Sequence, residues 1–224
     1  MLTRDDTELA ASWLDGALAR FATDNDDLVL QTRSLLARIV ADAPRHARLL
    51  NTLSMLEHIG SHKIMTTQHA ADIDQPTLKH VAEEAQHAYF MKRQAEKNAA
   101  RPLEYVSADL LAPATARMYF QRLEAAMLRT LSRQRSARAV YLYMSMIVEF
   151  RALWFYRLYQ QTLQRARHPL SLKRLLGEEQ SHLGKIANRL ETAGELSDAR
   201  TSDFVGYEKA LYARLLSSLQ RAVA

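Results

Sequence analysis

The chain has 224 residues, 48% of them apolar and 25% charged, enough to bury a substantial core without disulfide staples. It contains no cysteine, which excludes disulfide scaffolds, zinc ribbons, thiolate-held iron–sulfur clusters and cysteine nucleophiles; six Gly and five Pro are too few for a turn-rich β architecture. The formal net charge is +5, and the excess sits in residues 101–170, with 11 basic against 4 acidic side chains.

Apolar spacing is helical almost throughout. An amphipathic run covers about 6–22 (Leu9, Trp13, Leu14, Leu18, Phe21), and a second covers 28–41. Pro44 resets the chain ahead of a long helix over about 45–67. Asp74 before Gln75-Pro76 reads as a cap with proline in the first turn, opening a helix that reaches about Asn98 and is broken by Arg101-Pro102. A connection follows with its own helix over about 114–133. A long apolar helix spans 136–164 and ends at His168-Pro169; another spans 171–193 and is closed by Gly194; a last amphipathic helix covers 197–222. The expected fold is all-α, one domain over 1–224 with its core over 45–194 and helical additions over 6–41 and 197–222. The most apolar stretch, Ala139 to Tyr159, carries Glu149, Arg151 and Arg157, too many charges for a lipid-facing span. No apolar signal core follows Thr3-Arg4-Asp5-Asp6, so the expected location is cytoplasmic.

A carboxylate on an apolar helix face needs a partner. Glu149, in Tyr-Met-Ser-Met-Ile-Val-Glu-Phe-Arg, has Ser145, Met146, Ala152 and Leu153 at three and four residues, and no cation among them. Glu57 has Leu53, Ser54, Gly60 and Ser61 there. Two more acids come in matching doublets, Glu83-Glu84-Ala85-Gln86-His87 and Glu178-Glu179-Gln180-Ser181-His182. In each, the outer acid has a base four residues earlier, Lys79 for Glu83 and Arg174 for Glu178, and reads as an ordinary solvated pair that metal binding does not need. The inner acid lacks a Lys or Arg at helical spacing and has a histidine three residues on, on the same face. Divalent iron or manganese explains the pattern: such ions accept carboxylate oxygen and imidazole nitrogen, and two of them balance four carboxylates. Glu57 and Glu84 each lie about ten residues from the turn between their helices, so antiparallel packing puts them at one depth. Glu149 lies much further from its helix end than Glu179 does from its helix start, which requires the helix of Glu149 to overhang or to end early.

Leu56-Glu57, Glu84-Ala85-Gln86-His87, Val148-Glu149 and Glu179-Gln180-Ser181-His182 resemble the ligand set of the ferritin-like di-iron superfamily. The resemblance covers about Arg45–Ala193, including the long crossover between the second and third core helices. It implies a four-helix bundle holding two irons (or manganese, or one of each), with Glu57 on one ion, Glu149 on the other, Glu84 and Glu179 as bridges, and His87 and His182 as terminal ligands. No catalytic residue beyond the metal ligands is assigned. Departures narrow it. Ala152 stands where rubrerythrin-like members carry an extra acid, Leu175 where the N-oxygenase branch adds a histidine, and Met91 where ribonucleotide reductase small subunits place a tyrosine. The implied activity is oxygen activation by a hydroxylase or related oxygenase; the alternative is ferroxidase, iron-handling or peroxide-scavenging activity without an organic substrate.

Such an oxygenase needs an external electron donor. Arg122, Arg129 and Arg133 fall on one face of the crossover helix, and that face is the expected dock for an acidic protein, with transfer RNA as a weaker alternative. The aromatic run Tyr141, Tyr143, Phe150, Trp154, Phe155, Tyr156, Tyr159 surrounds its helix and calls for cover by neighbouring helices or by a second copy in a homodimer. His58 and His62 point away from Glu57 and read as surface residues. Tyr156 reads as a core tyrosine within reach of a ligand. Gly60, Ser61, Ser145 and Ala152 leave room beside the lone ligands or serve close helix packing.

Overall fold

In the computed structural model, residues 4–67, 73–131 and 137–224 are described, and side chains within 11–66, 73–131 and 139–224. They form α1 (Arg4–Asp24), α2 (Asp26–Val40), α3 (Ala43–Thr67), α4 (Gln75–Ala99), α5 (Pro113–Thr130), α6 (Ala137–Arg165), α7 (Lys173–Thr192) and α8 (Asp198–Ala222), with one 3-10 turn at Ser107–Asp109. No strand occurs among the described residues, and no helix among them is long and apolar enough to cross a membrane.

The boundaries follow local chemistry. Asp74 caps α4 by accepting from the Thr77 N–H at 2.9 Å, with Pro76 in the first turn. Gly194 ends α7 at φ 64°, and the Glu195 N–H returns to the Leu190 carbonyl at 2.9 Å, a helix stop that L side chains adopt reluctantly. Ser197 opens α8, accepting from the Arg200 N–H. The crossover, expected to stay helical to about 133, leaves the helix at Thr130, and Arg133 lies outside the described residues.

The most extensive packing is between α3 and α4, then between α6 and α7, and α3 also meets α6 as α4 meets α7. Around these four, α1 lies against α7, α2 against α6, and α5 against α8, α6 and α3. The buried apolar side chains form one cluster that draws on all eight helices. The segment before α5 is pinned to α3 by side chains that satisfy its carbonyls: Asn51 Nδ2 donates to Glu104 O at 2.8 Å and Asp109 O at 3.0 Å, and Arg48 Nη2 to Leu110 O at 2.6 Å.

The aromatic girdle of α6 is covered from within the chain. Phe150 meets Phe21 of α1 (5.6 Å between centroids), Tyr143 meets Phe204 of α8 (5.2 Å) and Trp154 meets Tyr212 of α8 (5.7 Å). Cover by a second copy is therefore not needed to explain it. The depth mismatch resolves as an overhang: α6 continues from Glu149 to Arg165, and the chain doubles back so that the Leu172 N–H donates to Gln160 Oε1 at 2.6 Å. Behind α6 lies a buried ion pair. Arg151 donates to Glu208 through Nε (2.9 Å) and Nη2 (2.8 Å) and to Asn25 Oδ1 at 2.6 Å, its guanidinium stacked 4.0 Å over the Tyr212 ring. Tyr119 donates to the same carboxylate at 2.6 Å.

Candidate metal centre

Four helices converge their polar residues on one interior volume. From α3 comes Glu57; from α4, His80, Glu84 and His87; from α6, Glu149; from α7, Glu179 and His182. All six residues expected from the sequence meet there. Their ligand atoms fall into two neighbouring groups, Glu57–His87–Glu179 and His80–Glu84–Glu149–His182, each within 4.8 Å of one another. All are buried except Glu57, which is partly so.

Glu84 and Glu179 lie between the two groups. Glu84 Oε1 is 3.4 Å from His80 Nε2, 3.5 Å from His182 Nδ1 and 3.8 Å from His87 Nδ1. Glu179 spans with both oxygens, Oε1 at 3.2 Å from His87 Nδ1 and Oε2 at 3.2 Å from His182 Nδ1. Glu149 Oε1 stands 3.3 Å from both His80 Nε2 and His182 Nδ1. Glu57 Oε1 accepts a short hydrogen bond from the Tyr156 hydroxyl. Glu84 Oε1 and His87 Nδ1 are buried with charged neighbours at 3.2–3.8 Å but no well-formed hydrogen bond, and buried polar atoms left so are costly unless something coordinates them.

His80 was not among the expected residues. The signal was present: it stands four residues before Glu84, on the same helix face. Lys79 next to it pairs with Glu83, and His80 belongs to no Glu-x-x-His, so neither pattern marks it. Leu175 stands at the corresponding place before the second Glu-x-x-His, so the two motifs are not equivalent. The His80 Nδ1 is held 3.0 Å from the Tyr141 hydroxyl, leaving Nε2 for the site.

The outer acids are a correction. Glu83 keeps its Lys79 contact at 3.4 Å, but its Oε2 also accepts from His182 Nε2 at 3.0 Å. Glu178, beside Arg174 at 2.9 Å, accepts from His87 Nε2 at 3.0 Å. Each doublet thus orients the histidine of the other. These carboxylates fix which imidazole nitrogen faces the site and raise its basicity, so they belong to the centre and are not mere solvated pairs. In-helix spacing could not show this, because both contacts cross from α4 to α7.

Burial opposes charge on all three histidines, yet the carboxylates outweigh it. The Glu149 and Glu84 carboxylates beside its Nε2 push His80 up to about 12. Glu179 chiefly lifts His87 to about 11, and Glu149 and Glu179 lift His182 to about 10. Burial and then Glu84 raise Glu57 well above the carboxylate range, and burial and then Glu149 raise Glu179. For Glu149, burial and Glu84 push upward, but hydrogen bonds from His182 and His80 hold it below its ordinary value. Buried carboxylates packed against imidazoles form a donor set of oxygen and nitrogen atoms that could hold a metal ion.

His58 and His62 are exposed, as expected. Gly60 and Ser145 line one cleft that reaches His80, Glu84 and Glu149; Ala152 lines another that reaches Glu57 and Tyr156. Ser61 lines neither cleft and donates to the His58 carbonyl at 3.0 Å. Glu124, with no base three or four residues away in its own helix, pairs with Lys63 at 2.5 Å. Arg122 and Arg129 are exposed on α5. The chain matches no family model, no curated protein and no solved structure.

Proposed function

We propose that the chain is an oxygen-activating di-iron oxidoreductase on a ferritin-like four-helix bundle of α3, α4, α6 and α7, acting as a hydroxylase or related oxygenase. The observation that carries the reading is the seven-residue oxygen and nitrogen cluster drawn from four helices, with Glu84 Oε1 and His87 Nδ1 buried inside it without a well-formed hydrogen bond. Glu57, His87 and Glu179 would hold one ion, and His80, Glu84, Glu149 and His182 the other, with Glu84 and Glu179 shared. A di-iron pair supplies activation of dioxygen and two-electron oxidation. The chain's own residues set the conditions. Glu83 and Glu178 hold the imidazole orientations, Tyr156 keeps a proton at Glu57 Oε1, and apolar helix faces exclude bulk water. The cleft reaching Glu57 favours an organic substrate over iron handling alone, because its walls are overwhelmingly hydrophobic.

Metal analysis of purified protein is expected to give two transition-metal ions per chain, and Glu84→Ala with His87→Ala to lose most of them. Wild-type stoichiometry in that double variant refutes the assignment. Ferrous protein exposed to oxygen is expected to oxidise once and stall until a reductant is supplied. Continued oxidation of added ferrous iron without organic substrate gives the ferroxidase reading instead.

A further inference from the structure

Two apolar helix faces converge on the cleft beside Glu57. Leu49, Leu53 and Leu56 of α3 and Val148, Ala152 and Phe155 of α6 are each spaced by four and three residues, so each set is one continuous face. Both sets line the cleft, α5 and α8 add further walls, and the space amounts to about 730 Å³ including its mouth. The cleft meets the candidate centre at Glu57 and Tyr156. Polar side chains also line it, but they are engaged elsewhere. Thr52 Oγ1 donates to the Arg48 carbonyl and accepts from the Leu111 N–H, both at 2.8 Å. Tyr119 donates to Glu208, and the Tyr212 hydroxyl is paired with that of Thr32 at 2.9 Å. Tyr156 donates to Glu57. The Arg151 guanidinium is held by Glu208 and Asn25 and packed among the Phe21, Trp154 and Tyr212 rings, and its one unpaired nitrogen, Nη1, is itself fully buried. Among the described residues of the wall, only the Glu57 carboxylate, at the centre itself, remains to meet a polar group on a ligand.

We infer that this cleft binds a hydrocarbon group, an aromatic ring or a short alkyl chain, and rejects ligands that carry a carbonyl, a hydroxyl or a charge into it. A polar atom brought there gives up its hydrogen bonds to water and finds none in the wall, and a charge loses more. An apolar cavity, by contrast, holds water poorly, and its walls lack partner atoms until an apolar guest supplies them. The guest's carbon atoms then lie against Glu57 and Tyr156. Ala152 sets the room available, because it is the smallest side chain of the α6 face and stands between Val148 and Phe155. Binding itself requires only the cleft; that the guest is the substrate rests on the function proposed above.

Three probes of nearly equal shape separate these chemistries: α-methylstyrene, its ketone isostere acetophenone, and benzoate. Ligand-observed NMR titrations of the full chain are expected to rank α-methylstyrene about tenfold or more tighter than acetophenone, the effect of burying one carbonyl unpaired, and to detect no binding of benzoate. In the manganese-loaded protein the resonances of the bound alkene should be broadened by the paramagnetic ions, because the cleft ends at Glu57. Ala152→Phe fills the cleft and should abolish alkene binding while metal content and helicity stay unchanged. Acetophenone or benzoate binding as tightly as the alkene to the wild-type chain overturns the inference, as does no binding of the alkene, and this ranking needs no variant to fold. Alkene binding that survives Ala152→Phe, or that bound manganese leaves sharp, lies elsewhere on the chain and overturns it too. Alkene preference in a protein that takes up no metal sinks the di-iron reading and leaves the cleft; two metals per chain with no alkene binding does the reverse.

Discussion

Removing the Glu83 carboxylate separates two views of the same residue. Glu83 has an exposed partner, Lys79, whose side chain is 62% accessible at 3.4 Å, and a buried one, His182, 3% accessible at 3.0 Å. An exposed helix pair is worth about 0.3–0.5 kcal/mol, near the limit of detection. A carboxylate that orients a metal-ligating imidazole is worth about ten- to a hundredfold in metal affinity, about 1.4–2.7 kcal/mol. Lys79→Ala should therefore bind metal as the wild type does. Glu83→Gln retains an acceptor but no charge and should lose about tenfold; Glu83→Leu retains neither and should lose more. The loss should also be selective. His182 belongs with His80, Glu84 and Glu149, whereas His87, held by Glu178, belongs with Glu57 and Glu179. Anaerobic titration with manganous ion against a competing chelator resolves two sites, and Glu83→Leu should weaken one while Glu178→Leu weakens the other. Affinity within twofold of wild type at both sites in Glu83→Leu, or equal damage from Lys79→Ala, refutes the reasoning.

His80→Ala should leave one ion per chain in place of two, measured by metal analysis, because it removes one of the four donors of its group; two ions with unchanged affinity would mean that His80 only packs against Tyr141. His46 provides a pH test away from the centre. Burial and then the charge of His168 hold it down to about 4, while its ring is engaged by Asn98 and the Tyr159 hydroxyl. The folded value lies below the unfolded value of about 6.5, so the unfolded chain binds more protons between them. Stability should accordingly rise with pH from about 4 to about 6.5 by on the order of 3 kcal/mol, and His46→Asn should flatten that slope in urea titrations; an unchanged slope assigns it to other groups. Reversing Arg122 and Arg129 to Glu should slow reduction by an acidic donor and remove its salt dependence, with metal content unchanged, since exposed charges are screened over about 8–10 Å; rates indifferent to salt and charge reversal would leave these arginines a solubilising face.

Helix number and boundaries were legible in the sequence because they depend on local chemistry: apolar periodicity, the Asp74-Gln75-Pro76 cap, Gly194, and the prolines at 44, 102 and 169. So were six of the seven residues that gather at the centre, since Glu57 and Glu149 stand on apolar faces without cations, and Glu84 and Glu179 each have a histidine one turn on. His80 carried a readable signal, one turn before Glu84, although it is neither a Lys or Arg partner nor part of a Glu-x-x-His. What only the tertiary structure decided are relations between helices. Glu83 with His182, Glu178 with His87, Lys63 with Glu124 and Arg151 with Glu208 are all separated by 57 residues or more, where spacing along one helix carries no information. The cover of the α6 aromatics by α1 and α8 is of the same kind, as is the burial of the Arg151 guanidinium against Glu208, Asn25 and Tyr212. A sequence states which faces must be buried and which charges need company. Which face meets which is settled by packing all the helices at once, and that is a property of the folded chain.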